Sequence, residues 1–116
     1  MNVMIKTHQV ELPGGHGDRL ARRFRRAFGR LGKAVERVRI SLKSASSKPG
    51  VPEKICQMDV SLNGGGHIVV TGRGTRMARA IGQTLRRARF LVRKEIGRQR
   101  SRQRRFDPTA ALPAAN

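Results

Sequence analysis

The sequence predicts an α+β domain of order β-α-β-β-β-α, a four-stranded mixed sheet with two helices packed on one face. Three observations lead there. Short segments at 2–10, 35–43, 55–62 and 67–71 carry strand patterns, alternating at a period of two in the middle pair. Two other segments, 19–31 and 75–105, place their apolar residues at the helical period of 3.6. Between the last two strand segments stands Asn63-Gly64-Gly65-Gly66, a hairpin signal.

In order, Asn2 to Val10 reads as a strand with Val3 and Ile5 on one face and Met4 and Lys6 on the other. Being apolar on both sides at its start, it is expected inside the sheet. Leu12-Pro13-Gly14-Gly15 breaks it, and Asp18 is suited to an N-cap or first-turn position. From Arg19 to Leu31 the apolar stripe is Leu20, Phe24, Ala27, Phe28 and Leu31. A second stripe, Arg19, Arg22, Arg23, Arg26 and Arg30, lies about 120° around the same helix. Gly29 and Gly32 mark its stop. Val35 to Lys43 turns Val38, Ile40 and Leu42 inward and Arg37, Arg39, Ser41 and Lys43 outward. Ser44 to Lys54 has loop composition, and Ile55 to Leu62 alternates again with Cys56, Met58, Val60 and Leu62 inward. His67 to Thr71 returns as the fourth strand, and Gly72-Arg73-Gly74 reads as the turn into the last helix.

That helix, Thr75 to Arg105, sorts its residues onto two faces. Met77, Ile81, Leu85, Ala88, Val92 and Ile96 fall within about 100° of arc, bordered by Ala80, Thr84 and Leu91. Arg79, Arg86, Arg93 and Lys94 lie opposite, flanked by Arg89 and Arg100. Phe90 sits among these cations, placed either to stack on an unpaired base or to be buried by a bent helix end. A solvated helix face mixes signs to gain pairs between successive turns; from Arg86 to Arg105 there are ten basic residues and one acid, Glu95. Both apolar stripes need one core, so the arginine stripes should lie side by side on the outer surface of the helix layer.

The composition agrees. The 116 residues make one domain, 1–105, followed by a flexible tail over 106–116. Net charge is +19 and arginine outnumbers lysine 20 to 6, which favours a polyanion that arginine's planar fork can grip. Nothing apolar approaches the length of a membrane span or signal peptide, and the single Cys56 fits a reducing compartment, so a cytoplasmic protein without a membrane partner is expected.

Catalytic constellations do not emerge. His8, His16 and His67 are scattered without metal-site spacing, and Glu53 and Asp59 stand without obvious partners, on a loop and a strand. Neither an enzyme nor a cofactor, metal or small-molecule substrate is expected. Gly14-Gly15-His16 is similar to the Gly-Gly-Gln loop of release-factor-type peptidyl-tRNA hydrolases but lacks the glutamine. Gly64-Gly65-Gly66 could cradle a phosphate, yet no P-loop lysine follows.

Over roughly residues 2 to 100 the chain resembles the ribosome-associated inhibitor and hibernation promoting factor family, in its short, single-domain form. Element order carries most of the resemblance. Locally, Met77-Ala78-Arg79-Ala80-Ile81 is similar to the run that opens the family's last helix, with Ala78 and Gly82 in place of a tyrosine and an aspartate. Gly66-His67 also looks like the family's hairpin exit. The resemblance implies binding to rRNA of the small ribosomal subunit in the decoding region, where the factor blocks mRNA and tRNA, by a protein monomeric when free. It places Arg22, Arg26 and Arg30 of the first helix, and Arg79, Arg86, Arg93 and Lys94 of the second, on rRNA. Arg89 and Phe90 complete the expected RNA-binding set. The order is also similar to the double-stranded RNA-binding domain, which has α-β-β-β-α order and binds isolated duplexes by shape.

Overall fold

The computed structural model describes residues 2–8, 16–48 and 50–106. The elements follow in the expected order: β1 (Asn2–His8), α1 (His16–Phe28), β2 (Val35–Lys48), β3 (Val51–Leu62), β4 (His67–Gly74) and α2 (Met77–Phe106). A 3₁₀ segment, Gly29–Ala34, joins α1 to β2. The sheet runs β1-β2-β3-β4, with β1 parallel to β2 and the other two pairs antiparallel. The parallel pair follows from the crossover through α1, since parallel neighbours need a connection long enough to return the chain to the same end.

Both helices pack on one face. Phe24 and Phe28 from α1 and Ala80, Ile81, Leu85, Ala88 and Val92 from α2 share one buried cluster with Val38, Ile40, Leu42, Cys56, Met58, Val60 and Val70. The strands supply alternate residues to it, as a period of two requires. Thr84, bordering the stripe, is also fully buried. Its hydroxyl donates to the Ala80 carbonyl at 2.6 Å, with the Cys56 carbonyl 3.2 Å away, so the polar atom adds no unpaired group to the core. Burial pushes the Cys56 thiol up and the Thr84 contact opposes this; the side chain behaves as a small apolar filler rather than a nucleophile.

Four expectations about the elements are corrected. β1 lies at an edge of the sheet, not inside it; its second apolar face amounts to Met4, which stays 42% exposed. Ser44 to Lys54 is a continuation of β2 and β3, with Ser44 opposite Lys54, Ala45 opposite Glu53 and, after a register shift, Lys48 opposite Val51. Backbone pairing and a bond from Lys54 Nζ to the Ser44 hydroxyl at 2.9 Å hold this ribbon with no alternating apolar residues, which is why its composition reads as loop. Its turn carries Gly50 at φ +78°. α1 ends at Phe28 because Gly29 takes φ +51°, yet the 3₁₀ segment still brings Leu31 to the edge of the core. Asp18 sits in the first turn of α1.

The fourth correction concerns Gly72-Arg73-Gly74, which belongs to β4 rather than to a turn. A Cβ on Gly72 would lie 2.5 Å from the Ala80 carbonyl oxygen and against the Thr84 hydroxyl. The glycine is there for close approach of strand and helix, not for a bend. At the other end, Asn63 anchors the β3–β4 hairpin to the 3₁₀ segment, its amide N–H bonding the Ala34 carbonyl at 2.9 Å and its side-chain amide the Lys33 carbonyl at 2.7 Å. Gln99 of α2 donates to the Gly65 carbonyl, so the long helix is tied to the hairpin tip.

The 30 residues of α2 span about 45 Å, against about 27 Å for the eight of β4. The helix therefore overhangs the sheet. Ile96 is its last described residue against the core. Of the expected tail over 106–116, Phe106 is the last residue of α2, and 107–116 lie outside the described residues, as do Gly14 and Gly15.

Candidate nucleic-acid interface

Burying Phe24 and Phe28 fixes the rotation of α1, and burying Ile81, Leu85 and Val92 fixes that of α2. The arginine stripes are then forced outward. Arg22, Arg26 and Arg30 are exposed, as are Arg79, Arg86, Arg89, Arg93 and Lys94. Phe90 is exposed too, at 64%, so the helix end does not bend to bury it. It stands on the outer face of α2, one turn beyond Arg86 and one before Lys94.

Both helices border one hollow on that surface. Arg23 of α1 lines it with Arg73 of β4 and with Ala78, Arg79, Gly82, Gln83 and Arg86 of α2. A second hollow on α1 is lined by Arg19, Arg22, Arg23 and Arg26. Arg23 belongs to both and links the two cationic surfaces. It was absent from the expected RNA-binding set, although its stripe was visible; no sequence pattern says which stripe member will face the other helix. Lys94 is separate. It shares a hollow with Gly97, Arg98, Ser101 and Arg102 farther along α2.

Not every arginine is available. Arg87 donates to the Thr71 carbonyl at 3.1 Å and so covers the edge of β4. Arg102 and Arg98 approach Glu95 at 3.0 and 4.0 Å. Arg73 pairs with Glu53 at 3.4 Å, and His67 lies 3.1 Å from Asp59, so both acids expected to stand alone have partners. Among the described residues, none of the ion pairs involves Arg22, Arg23, Arg26, Arg30, Arg79, Arg86, Arg89, Arg93 or Lys94. Two such cations about 7 Å apart repel by about 0.6 kcal/mol in water's dielectric, before screening. Summed over the surface, that repulsion is relieved by an anion with many closely spaced charges.

The arrangement offers charge and one exposed aromatic face. Among the described residues no His, Cys, Asp and Glu cluster could hold a metal ion, and no helix is long and apolar enough to cross a membrane.

Neither a protein-family model nor a curated protein matches the chain. Solved structures do. A ribosomal subunit interface protein from Coxiella burnetii is similar with a TM-score of 0.64 at 13% identity, over 84% of this chain and 99% of that one. The N-terminal domain of Protein Y from Thermus thermophilus is similar with a TM-score of 0.60 at 19% identity, over 81% and 98%. At these identities the likeness establishes a shared fold, the one expected from the resemblance.

Proposed function

We propose that the protein is a cytoplasmic ribosome-binding factor of the hibernation type, monomeric when free. It docks the arginine faces of α1 and α2 on rRNA of the small subunit's decoding region and there blocks mRNA and tRNA. The observation that carries this reading is the composite surface: two helices with opposed demands, core inward and cations outward, share one hollow lined by Arg23, Arg79 and Arg86 among others. The fold it shares with a ribosomal subunit interface protein supports the choice of partner. Residues 1–105 form the binding domain in this reading.

Phosphates would pair with Arg22, Arg26 and Arg30 on one side and with Arg79, Arg86, Arg89, Arg93 and Lys94 on the other, and Phe90 would take an unpaired base. No bond is made or broken. Inhibition follows from occupancy alone, so the affinity for the subunit sets the effect.

Sedimentation of a stationary-phase extract through a sucrose gradient tests the reading. The protein should travel with small subunits or the particles that contain them, and added mRNA with initiator tRNA should displace it. A protein that stays at the top of the gradient, or that short RNA duplexes strip from the subunit as well as any competitor, is a generic duplex binder instead.

A further inference from the structure

Among the described residues nothing covers the sheet face turned away from the helices, and its composition is not that of an ordinary solvated face. Its charged residues include Lys6, Arg37, Arg39 and Lys43, which have no acid partner among the described residues. The two acids on this side are engaged, Asp59 with His67 and Glu53 with Arg73. Exposed large apolar side chains number three among the described residues; Met4 and Val69 are two of them, and both lie here.

Register decides what meets what. One row across the sheet reads Met4, Arg39, Asp59, Val69, and the next reads Lys6, Ser41, Gln57, Thr71. Met4, Lys6, Arg39, Ser41, Gln57 and Asp59 line a single groove. Along β2, Arg37, Arg39 and Lys43 occupy the same face at multiples of about 6.7 Å, close to the phosphate repeat of an extended nucleic-acid strand. Beside that line of cations, β3 presents an amide at Gln57 and a carboxylate at Asp59, which the His67 contact orients.

We propose that this open face is a second RNA site, specific for single-stranded RNA. The phosphates run along Arg37, Arg39 and Lys43, and a base drops into the groove against Met4, its edge toward Gln57 and Asp59. The site is distinct from the helix surface and does not depend on the ribosome being the partner there. A protein ligand fits less well, because Met4 and Val69 are on opposite edges, about 14 Å apart, and make no contiguous apolar patch. A carboxylate accepts hydrogen bonds only; an exocyclic amino group offers two hydrogens, one for Asp59 and one for the Gln57 amide oxygen, where uracil offers a single N3–H, so the groove favours bases that carry an amino group. Cytosine should therefore bind better than uracil.

The test titrates the full-length protein, labelled with nitrogen-15, with ten-nucleotide oligo(C), oligo(U) and poly-glutamate, following backbone amides by NMR. Oligo(C) should shift Met4, Arg39, Ser41, Gln57 and Asp59. Arg39→Glu with Lys43→Glu should abolish those shifts and weaken oligo(C) binding by about tenfold or more, leaving shifts on α1 and α2 in place. Lys6→Gln with Arg39→Gln serves the same end if charge reversal disturbs folding. Arg22→Glu with Arg26→Glu should spare the sheet shifts, which separates this site from the helix surface. Asp59→Ala should equalise oligo(C) and oligo(U). Shifts confined to the helices, poly-glutamate shifting the sheet amides as strongly as oligo(C), or a base preference that survives Asp59→Ala would each overturn the proposal.

Discussion

Reversing charge on one helix at a time is the most direct probe of the composite surface. If Arg22, Arg26, Arg30, Arg79, Arg86, Arg89, Arg93 and Lys94 each neutralise a phosphate, eight contacts give a log–log salt slope of about −7.2, or about 20,000-fold weaker binding at 200 mM than at 50 mM salt. Arg22→Glu with Arg26→Glu removes two contacts, so the slope should flatten to about −5.4 and the same salt step should cost only about 2000-fold. Arg86→Glu with Arg93→Glu should do the same from α2. All four side chains are exposed and without an acid partner among the described residues, so stability should move by no more than about 0.5 kcal/mol in either direction. Filter binding of labelled small subunits across a salt series gives the slopes, and circular dichroism gives the melting temperature. Arg23 adds a check that only the structure suggests. It borders the same hollow as Arg86, so Arg23→Ala and Arg86→Ala should be non-additive, whereas Arg26→Ala and Arg93→Ala should add. If affinity and slope survive both charge-reversed pairs, the electrostatic account of this surface and the ribosome reading built on it are refuted together.

Three further outcomes follow from the packing. Phe90→Ala should weaken small-subunit binding by about 1–3 kcal/mol with an unchanged melting temperature, since the ring is 64% exposed; a drop in melting temperature would put the ring in the core instead. Leu85→Ala should cost about 2–5 kcal/mol in urea unfolding because the side chain is buried between α2 and the sheet, and a cost below 1 kcal/mol or so would contradict the helical register. Gly72→Ala, conservative by size, should destabilise by about 1–3 kcal/mol because its Cβ meets the Ala80 carbonyl, whereas the same change at Gly82, with nothing nearby, should be neutral or stabilising; equal effects at both sites in urea titrations would refute the close approach of β4 to α2.

Periodicity alone carried the fold's order, the inward residues of β2 and β3, and the outward turn of both arginine stripes. The reason is that side-chain spacing of two or 3.6 is a local property, and the sixteen buried apolar residues among the described ones leave few ways to place two amphipathic helices on one sheet. The resemblance rested on the same order. What stayed illegible depended on partners distant in sequence. The ribbon over 44–54 looks like loop because its strands are held by backbone pairing and a Lys54–Ser44 bond rather than by an alternating apolar pattern. Gly72 looks like a turn glycine because nothing local reveals that Ala80 and Thr84 will press against it. Glu53 and Asp59 seemed isolated until strand register delivered Arg73 and His67. Phe90's exposure was undecidable from a wheel, since a helix bend would have buried it. The sequence by itself determined that two cationic helix faces exist and point outward. Only the tertiary structure decided that Arg23, Arg79 and Arg86 would line one hollow, because that juxtaposition depends on how two separately folded helices settle over one sheet.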